Sequence, residues 1–238
     1  MRTLLAILAL YLCQTSAICQ DDNVVLLTNQ GAQLEQNGEL QESLEILNEA
    51  LRLDPNYGSA HYNKGVTLMG MADNEAAIAS FTQAIEIDSG DVNAYVNRAI
   101  CFKNISDFNT ALKDANMAVE LQLNDENLAS RAGIFYSLGK YKQAITDYTN
   151  AIALNPNPEH YTFRAFCKEE LNDLDGAILD YSSAIKIDPE DFRNYYDRGN
   201  AYSSLGHFDL ACADWKIALE FGNPREDEIA GYTNEHCK

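Results

Sequence analysis

Three columns of small residues recur along the chain at a near-constant spacing. The first reads Gly31, Gly65, Ala99, Ala132, Ala165 and Gly199, and the second reads Ser43, Ala77, Ala111, Ala144, Ala177 and Ala211. The third is alanine throughout: Ala50, Ala84, Ala118, Ala151, Ala184 and Ala218. Successive steps in each column are 34, 34, 33, 33 and 34 residues. A small side chain at a fixed place in every repeat marks a close approach of two helices, because a larger one would force them apart. A chain with this periodicity is a stack of like units, each packed on its neighbours, rather than one globular core.

Between the small columns lies a bulky layer. Leu34, Leu68, Phe102, Phe135 and Tyr202 fill the place after the first small residue, with Lys168 the exception. Leu47, Phe81, Tyr148, Tyr181 and Trp215 fill the facing place, with Ala115 the exception. A stripe of this kind is core. The turn inside each repeat carries Gly38, Ala72, Ser106, Gly139, Asn172 and Gly206, a column rich in residues that accept a left-handed helix end. Pro55, Pro156, Pro189 and Pro224 fall between repeats, where proline stops the second helix. Asp54, Asp88 and Asp188 lie beside these turns, placed to cap the next helix.

The clearest repeat runs from Asn127 to Pro156, NLASRAGIFYSLGKYKQAITDYTNAIALNP. Its spacing of small, aromatic and proline positions resembles the tetratricopeptide repeat (TPR). The resemblance implies an all-α, right-handed TPR solenoid of about six helix-turn-helix repeats, with windows 24–57, 58–91, 92–124, 125–157, 158–191 and 192–224. A short polar lead at 18–23 precedes them. Residues 225–238 come after them as a tail or weak cap, with only Ile229, Ala230 and Tyr232 to cover the last repeat.

Residues 1–17 stand apart. Arg2, the apolar run Leu4–Leu12 and the small residues Thr15, Ser16 and Ala17 describe a secretory signal peptide, cut after Ala17 or, as the alternative, after Cys19. The expected location is therefore periplasmic or extracellular. A lipid anchor on Cys13 or Cys19 is the weaker option, since Leu12 and Ile18 stand where a small residue is expected. No integral membrane segment is expected in the mature chain. The net charge of −19 repels phosphate backbones and so disfavours nucleic acid. Cys101 and Cys167 share a repeat column and read as buried small apolar residues. Cys212 and Cys237 could pair and tie down the tail. Asn104-Ile105-Ser106 is a glycosylation sequon in a turn.

Nothing in the pattern supports catalysis. His61, His160, His207 and His236 fall in unrelated columns without metal-ligand spacing, and no phosphate-binding glycine loop or nucleophile elbow occurs. No cofactor and no metal are expected, and the chain reads as a non-enzyme.

Two further columns carry information. Arg98, Arg131, Arg164 and Arg198 precede the small residue, and Asp114, Asp147, Asp180 and Asp214 share a second-helix column. The two repeats without Arg, at Gln30 and Lys64, also lack Asp, at Ile46 and Ser80. This co-occurrence predicts an ion pair between the two helices of one repeat, of surface strength at about 0–1 kcal/mol.

The column just before Arg reads Asn29, Asn63, Asn97, Ser130, Phe163 and Asp197. The TPR resemblance places first-helix residues on the inner, concave face. Asn there offers donor and acceptor together to an extended backbone. The same resemblance adds Tyr62, Ile100, Tyr136, Phe166, Tyr196 and Asn200 to that groove. The expected function is a non-catalytic scaffold that binds a protein or extended peptide segment, with basic residues suiting the acidic chain. The alternative is an assembly subunit that forms a homo-oligomer through its terminal repeat or tail.

Overall fold

Each first helix ends on one residue in the left-handed region: Gly38 (φ +83), Ala72 (+61), Ser106 (+64), Gly139 (+68), Asn172 (+59) and Gly206 (+78). Around each, two backbone bonds close the end, as where Ala72 N–H donates to Met69 O and Asp73 N–H to Leu68 O. These satisfy carbonyls that the helix leaves open and reverse the chain.

The computed structural model of the chain describes residues 22–222 and Cys237. Among them are twelve helices and no strand: α1 (22–36), α2 (Leu40–Leu53), α3 (Gly58–Gly70), α4 (Asn74–Ile87), α5 (Val92–Asn104), α6 (Phe108–Leu121), α7 (Asp125–Ser137), α8 (Tyr141–Leu154), α9 (Pro158–Glu169), α10 (Leu174–Ile187), α11 (Phe192–Ser204) and α12 (Phe208–Glu220). The signal segment 1–17 and the tail apart from Cys237 lie outside the described residues. The chain forms two compact units, Met1–Leu121 and Gln122–Lys238. In each, helices pack as adjacent pairs, and each second helix also packs on the first helix of the next pair. First helices touch as well, α3 with α5 and α7 with α9. The result in each unit is a three-pair, all-α solenoid with the first helices as one layer.

Helix starts come from side-chain caps. Asp73, Asp91, Asn124, Asn157, Asp173 and Asp191 each accept a backbone N–H from the first turn of the following helix. Asp54, Asp88 and Asp188 do not cap the next helix as expected. They accept from Asn56, Gly90 and Glu190 two residues on, closing local turns. Asp91 and Asp191 take the capping role at α5 and α11 instead, whereas Tyr57 before α3 supplies no side-chain cap.

The small columns meet the bulky column directly. A Cβ on Gly31 would lie 2.5 Å from Leu47, on Gly65 2.6 Å from Phe81 and on Gly199 2.7 Å from Trp215. The glycines stand where a side chain cannot. Ser43, the one hydroxyl in its column, donates to Gly31 O at 2.8 Å. Ala50, Ala84, Ala118, Ala151, Ala184 and Ala218 are all buried. Lys168, the exception in the bulky layer, snorkels out of it to Asp180 at 2.7 Å. Ala115 is as buried as the bulky residues whose place it takes.

Cys101 and Cys167 are free, buried thiols, raised by burial to about 11 and about 12. Cys212 on α12 forms a disulfide with Cys237, Cα to Cα 5.7 Å.

Candidate binding face

The first helices are held in place by arginine. In each of four repeats the guanidinium grips the aspartate of its own second helix through Nε and Nη2: Arg98 to Asp114, Arg131 to Asp147, Arg164 to Asp180 and Arg198 to Asp214, at 2.6–2.9 Å. The pairing lies within the repeat, as the co-occurrence predicts. Its strength is not that of a surface pair, because the aspartates are only 3–5% exposed. Arg131 and Arg198 are raised above the usual arginine value, first by these hydrogen bonds.

A third bond was not legible as a pair in the sequence. Nη1 of Arg98, Arg164 and Arg198 donates to Thr82, Thr149 and Ser182, on the second helix of the preceding repeat. Each guanidinium also lies over an aromatic ring, at Tyr95, Phe135, Tyr161 and Tyr195 in turn. The signal was present as a column of short polar residues fifteen or sixteen positions before each arginine.

With the arginine turned inward, the residue before it faces outward on the first helix. In the first unit, Asn29 is exposed and Asn63 half-buried, and neither side chain makes a hydrogen bond among the described residues. Asn97 Nδ2 donates to the Tyr62 hydroxyl at 3.0 Å. The Tyr62 ring leans on Phe81, and burial raises its hydroxyl pKa above the ordinary value. Tyr62 thus bridges the Asn63 and Asn97 helices. Ile100 is half-buried one turn further along α5.

In the second unit, Phe163 is 45% exposed, stacks on Tyr148 and meets Phe166 edge-on. Phe166 in turn meets Tyr181. Tyr136 is 37% exposed and its hydroxyl donates to Glu170 at 3.3 Å. Asn200 is half-buried and its Oδ1 accepts from Trp215 Nε1 at 3.1 Å, which occupies part of its bonding capacity. Tyr196 is a correction to the expected groove. It is 7% exposed and packs with Ala211, Trp215 and Ala218, so its ring belongs to the core. It shares a column with Tyr62, but Trp215 and the α12 alanines close over it.

The groove expectation did not include Glu169, although it occupies the same repeat column as Tyr136. Glu169 is half-buried at the end of α9. Burial pushes its carboxyl up to about 7 against the opposing pull of the Tyr181 hydroxyl, and Asp197 and then Glu170 add lesser upward pushes. Among the described residues no group of three or more His, Cys, Asp or Glu could hold a metal ion, and no helix is long and apolar enough to cross a membrane.

Comparison with known proteins agrees with this geometry. Models of the tetratricopeptide repeat match residues 26–57, 58–91 and 128–158, and a TPR repeat model matches 170–206, together more than half of the chain. No curated protein matches the sequence. Among solved structures, YrrB, described as a TPR protein with an unusual peptide-binding site, is 18% identical with a TM-score of 0.64 over 81% of this chain and 99% of its own. Pseudomonas aeruginosa pilF is 17% identical with a TM-score of 0.75 over 91% of this chain and 99% of its own. A tetratricopeptide repeat protein of Parabacteroides merdae is 17% identical, TM-score 0.69, over 91% and 100%. At these identities the likeness is one of fold. Matched by repeat models over more than half its length and built from helical pairs throughout its described residues, the chain belongs to the tetratricopeptide repeat family.

Proposed function

We propose that this chain is a non-catalytic scaffold that binds an extended segment of a protein partner on its first-helix face, in the periplasm or outside the cell after loss of residues 1–17. The observation that carries the binding reading is the pair Asn63 and Asn97 in the first unit. The Asn63 side chain is unengaged among the described residues, and Asn97 Nδ2 is held by Tyr62, which leaves Oδ1 as an acceptor. Side-chain amides fixed beside an aromatic ring suit a peptide backbone, which offers N–H and C=O in alternation. The net charge of −19 favours a basic segment. The Cys212–Cys237 disulfide supports the exported location, since such bonds persist in oxidising compartments.

Energetics limit the affinity. Each amide hydrogen bond contributes about 0.5–1.5 kcal/mol net, and association costs on the order of 4–15 kcal/mol. A few asparagine contacts leave binding weak, so apolar ligand side chains must bury against the groove, giving roughly micromolar affinity. The test is selection from a random-peptide display library on the purified chain, followed by calorimetry of an enriched peptide. The double change Asn63→Ala with Asn97→Ala weakens binding at least about tenfold, or 1.4 kcal/mol, and leaves helicity unchanged. Equal affinity in the double variant refutes the asparagine column as the site.

A further inference from the structure

Gly133 sits inside α7, where glycine weakens a helix relative to alanine. Gly31, Gly65 and Gly199 are required by packing, since a Cβ on any of them would strike a neighbouring side chain. Gly133 is not. Its φ is not in the left-handed region, and a Cβ there would meet one atom within 4 Å, the Tyr148 hydroxyl oxygen at 3.8 Å. Its column reads Ala32, Val66, Ile100, Gly133, Phe166 and Asn200, so the other repeats fill this place. What the missing side chain uncovers is an unanswered hydroxyl. Tyr148 on α8 is 4% exposed, yet its Oη makes no hydrogen bond among the described residues. The Tyr181 hydroxyl is the unbonded one that is fully enclosed, so the Tyr148 hydroxyl reaches the surface. Burial raises its pKa above the ordinary tyrosine value, so it keeps its proton and can donate. Beside it stands Phe163 of α9, a helix in contact with α7. Phe163 is 45% exposed and stacks on the Tyr148 ring, with centroids 6.0 Å apart and 18° between planes. Ser130 and Tyr136 lie one turn before and after Gly133 and share its face.

We propose that the notch at Gly133 is a subsite for a proline of the bound protein segment, with the pyrrolidine ring on Phe163 and an adjoining backbone carbonyl accepting from Tyr148 Oη. The donor set points to proline. The first unit presents side-chain amides at Asn63 and Asn97, which answer N–H and C=O together, but the same column here holds Ser130 and Phe163. An ordinary extended backbone brings an N–H with every carbonyl, and a desolvated N–H without an acceptor is costly. Proline has no N–H, presents a small apolar ring to an aromatic face, and comes in a preformed extended helix that costs little to order. A larger apolar side chain could lie on Phe163 but would cover the Tyr148 hydroxyl without answering it. Glycine at 133 lets the segment's backbone come close enough for that bond. The assignment rests on the first-helix layer being a binding face, and gives that face a residue preference in the second unit.

The experiment is an NMR titration of the full chain with acetyl-hexaproline amide, to roughly 10 mM because so small a ligand binds weakly. A glycine-serine hexapeptide of the same length serves as the control. The expected result is a set of shifts around Ser130 to Tyr136 and Phe163 to Phe166 that the control does not produce. Tyr148→Phe, which removes the hydroxyl and keeps the ring, should weaken binding about twofold to tenfold, the range of one hydrogen bond. Gly133→Leu should fill the notch and abolish the shifts, yet leave the urea midpoint no lower than the parent's, because packing does not require the glycine. Equal shifts from the control peptide, shifts elsewhere in the chain, unchanged affinity in Tyr148→Phe, or no response at all overturns the assignment. A lowered midpoint in Gly133→Leu overturns it too, since the glycine would then serve packing. Such a failure, beside selected peptides that still depend on Asn63 and Asn97, removes the proline subsite and leaves the scaffold reading standing. Failure of the selection removes the scaffold reading.

Discussion

Replacing Arg98 with alanine strands a buried carboxylate. The Asp114 side chain is 7% exposed and the Arg98 side chain 16%. Two charge-assisted bonds join them, at 2.7 and 2.8 Å, and Arg98 spends a third on Thr82. Removing one partner of such a buried pair costs about 3–5 kcal/mol, because the survivor keeps its charge without its counter-ion. The two single changes should not cost the same. Arg98 without Asp114 can swing its long side chain toward water, whereas Asp114 on its short stem cannot. Arg98→Ala should therefore destabilise more than Asp114→Ala. Two bonds to charged groups at about 1.5–3 kcal/mol each set a coupling energy of about 3 kcal/mol in the double-mutant cycle. Replacement of both by apolar residues of similar size, Arg98→Met with Asp114→Leu, should come within about 1 kcal/mol of the parent. The assay is urea unfolding monitored by circular dichroism, at roughly 0.1 M and 1 M salt. A solvated surface pair would give under about 1 kcal/mol and lose it on screening. Equal costs for the two single changes, with a coupling that disappears at the higher salt, would refute the buried-pair reasoning.

The same structure sets two other outcomes. Ala72 holds φ +61 on an exposed turn, where a Cβ costs about 1–2 kcal/mol, so Ala72→Gly should stabilise by about 0.5–1 kcal/mol after the added chain entropy, read as a rise in the urea midpoint. Glu169 titrates at about 7 in the fold against 4.5 for an ordinary glutamate. The folded state thus holds the proton more tightly, and stability is greatest below pH 4.5 for this group and is lost as pH rises through 7. Discounted for partial exposure, the loss is about 1–2 kcal/mol, so Glu169→Gln should stabilise at about pH 8 and not at about pH 4. A variant with the same pH profile as the parent would contradict it.

The sequence reveals features set by one residue and its partner at a fixed offset. Gly65 and Phe81, like Gly199 and Trp215, lie sixteen apart, and so do Arg98 and Asp114; the helical hairpin brings that offset into contact in every repeat. What depends on a third element is hidden. Tyr62 and Tyr196 share a column and each leans on the bulky residue of its own second helix, yet one is half-buried and the other sealed in a cluster that Cys237 joins from beyond the repeats. Asp88 and Asp91 are both aspartates near one turn. Only the chain path shows that Asp91 sits at the helix start and Asp88 folds back on Gly90. The surroundings of Glu169 are hidden for the same reason, since Tyr181 and Asp197, which act on its carboxyl, arrive from two other helices.

The arginine bond to the preceding repeat bears on how such an array grows by duplication and exchange. Arg98, Arg164 and Arg198 each reach backward to a hydroxyl that belongs to another repeat. A hairpin copied or transplanted alone carries its aspartate with it but leaves the hydroxyl behind. A transplanted hairpin therefore keeps its buried ion pair and depends on its new neighbour for one short hydroxyl, so a second helix with Thr or Ser at the place of Thr82, Thr149 or Ser182 is the one that completes the junction.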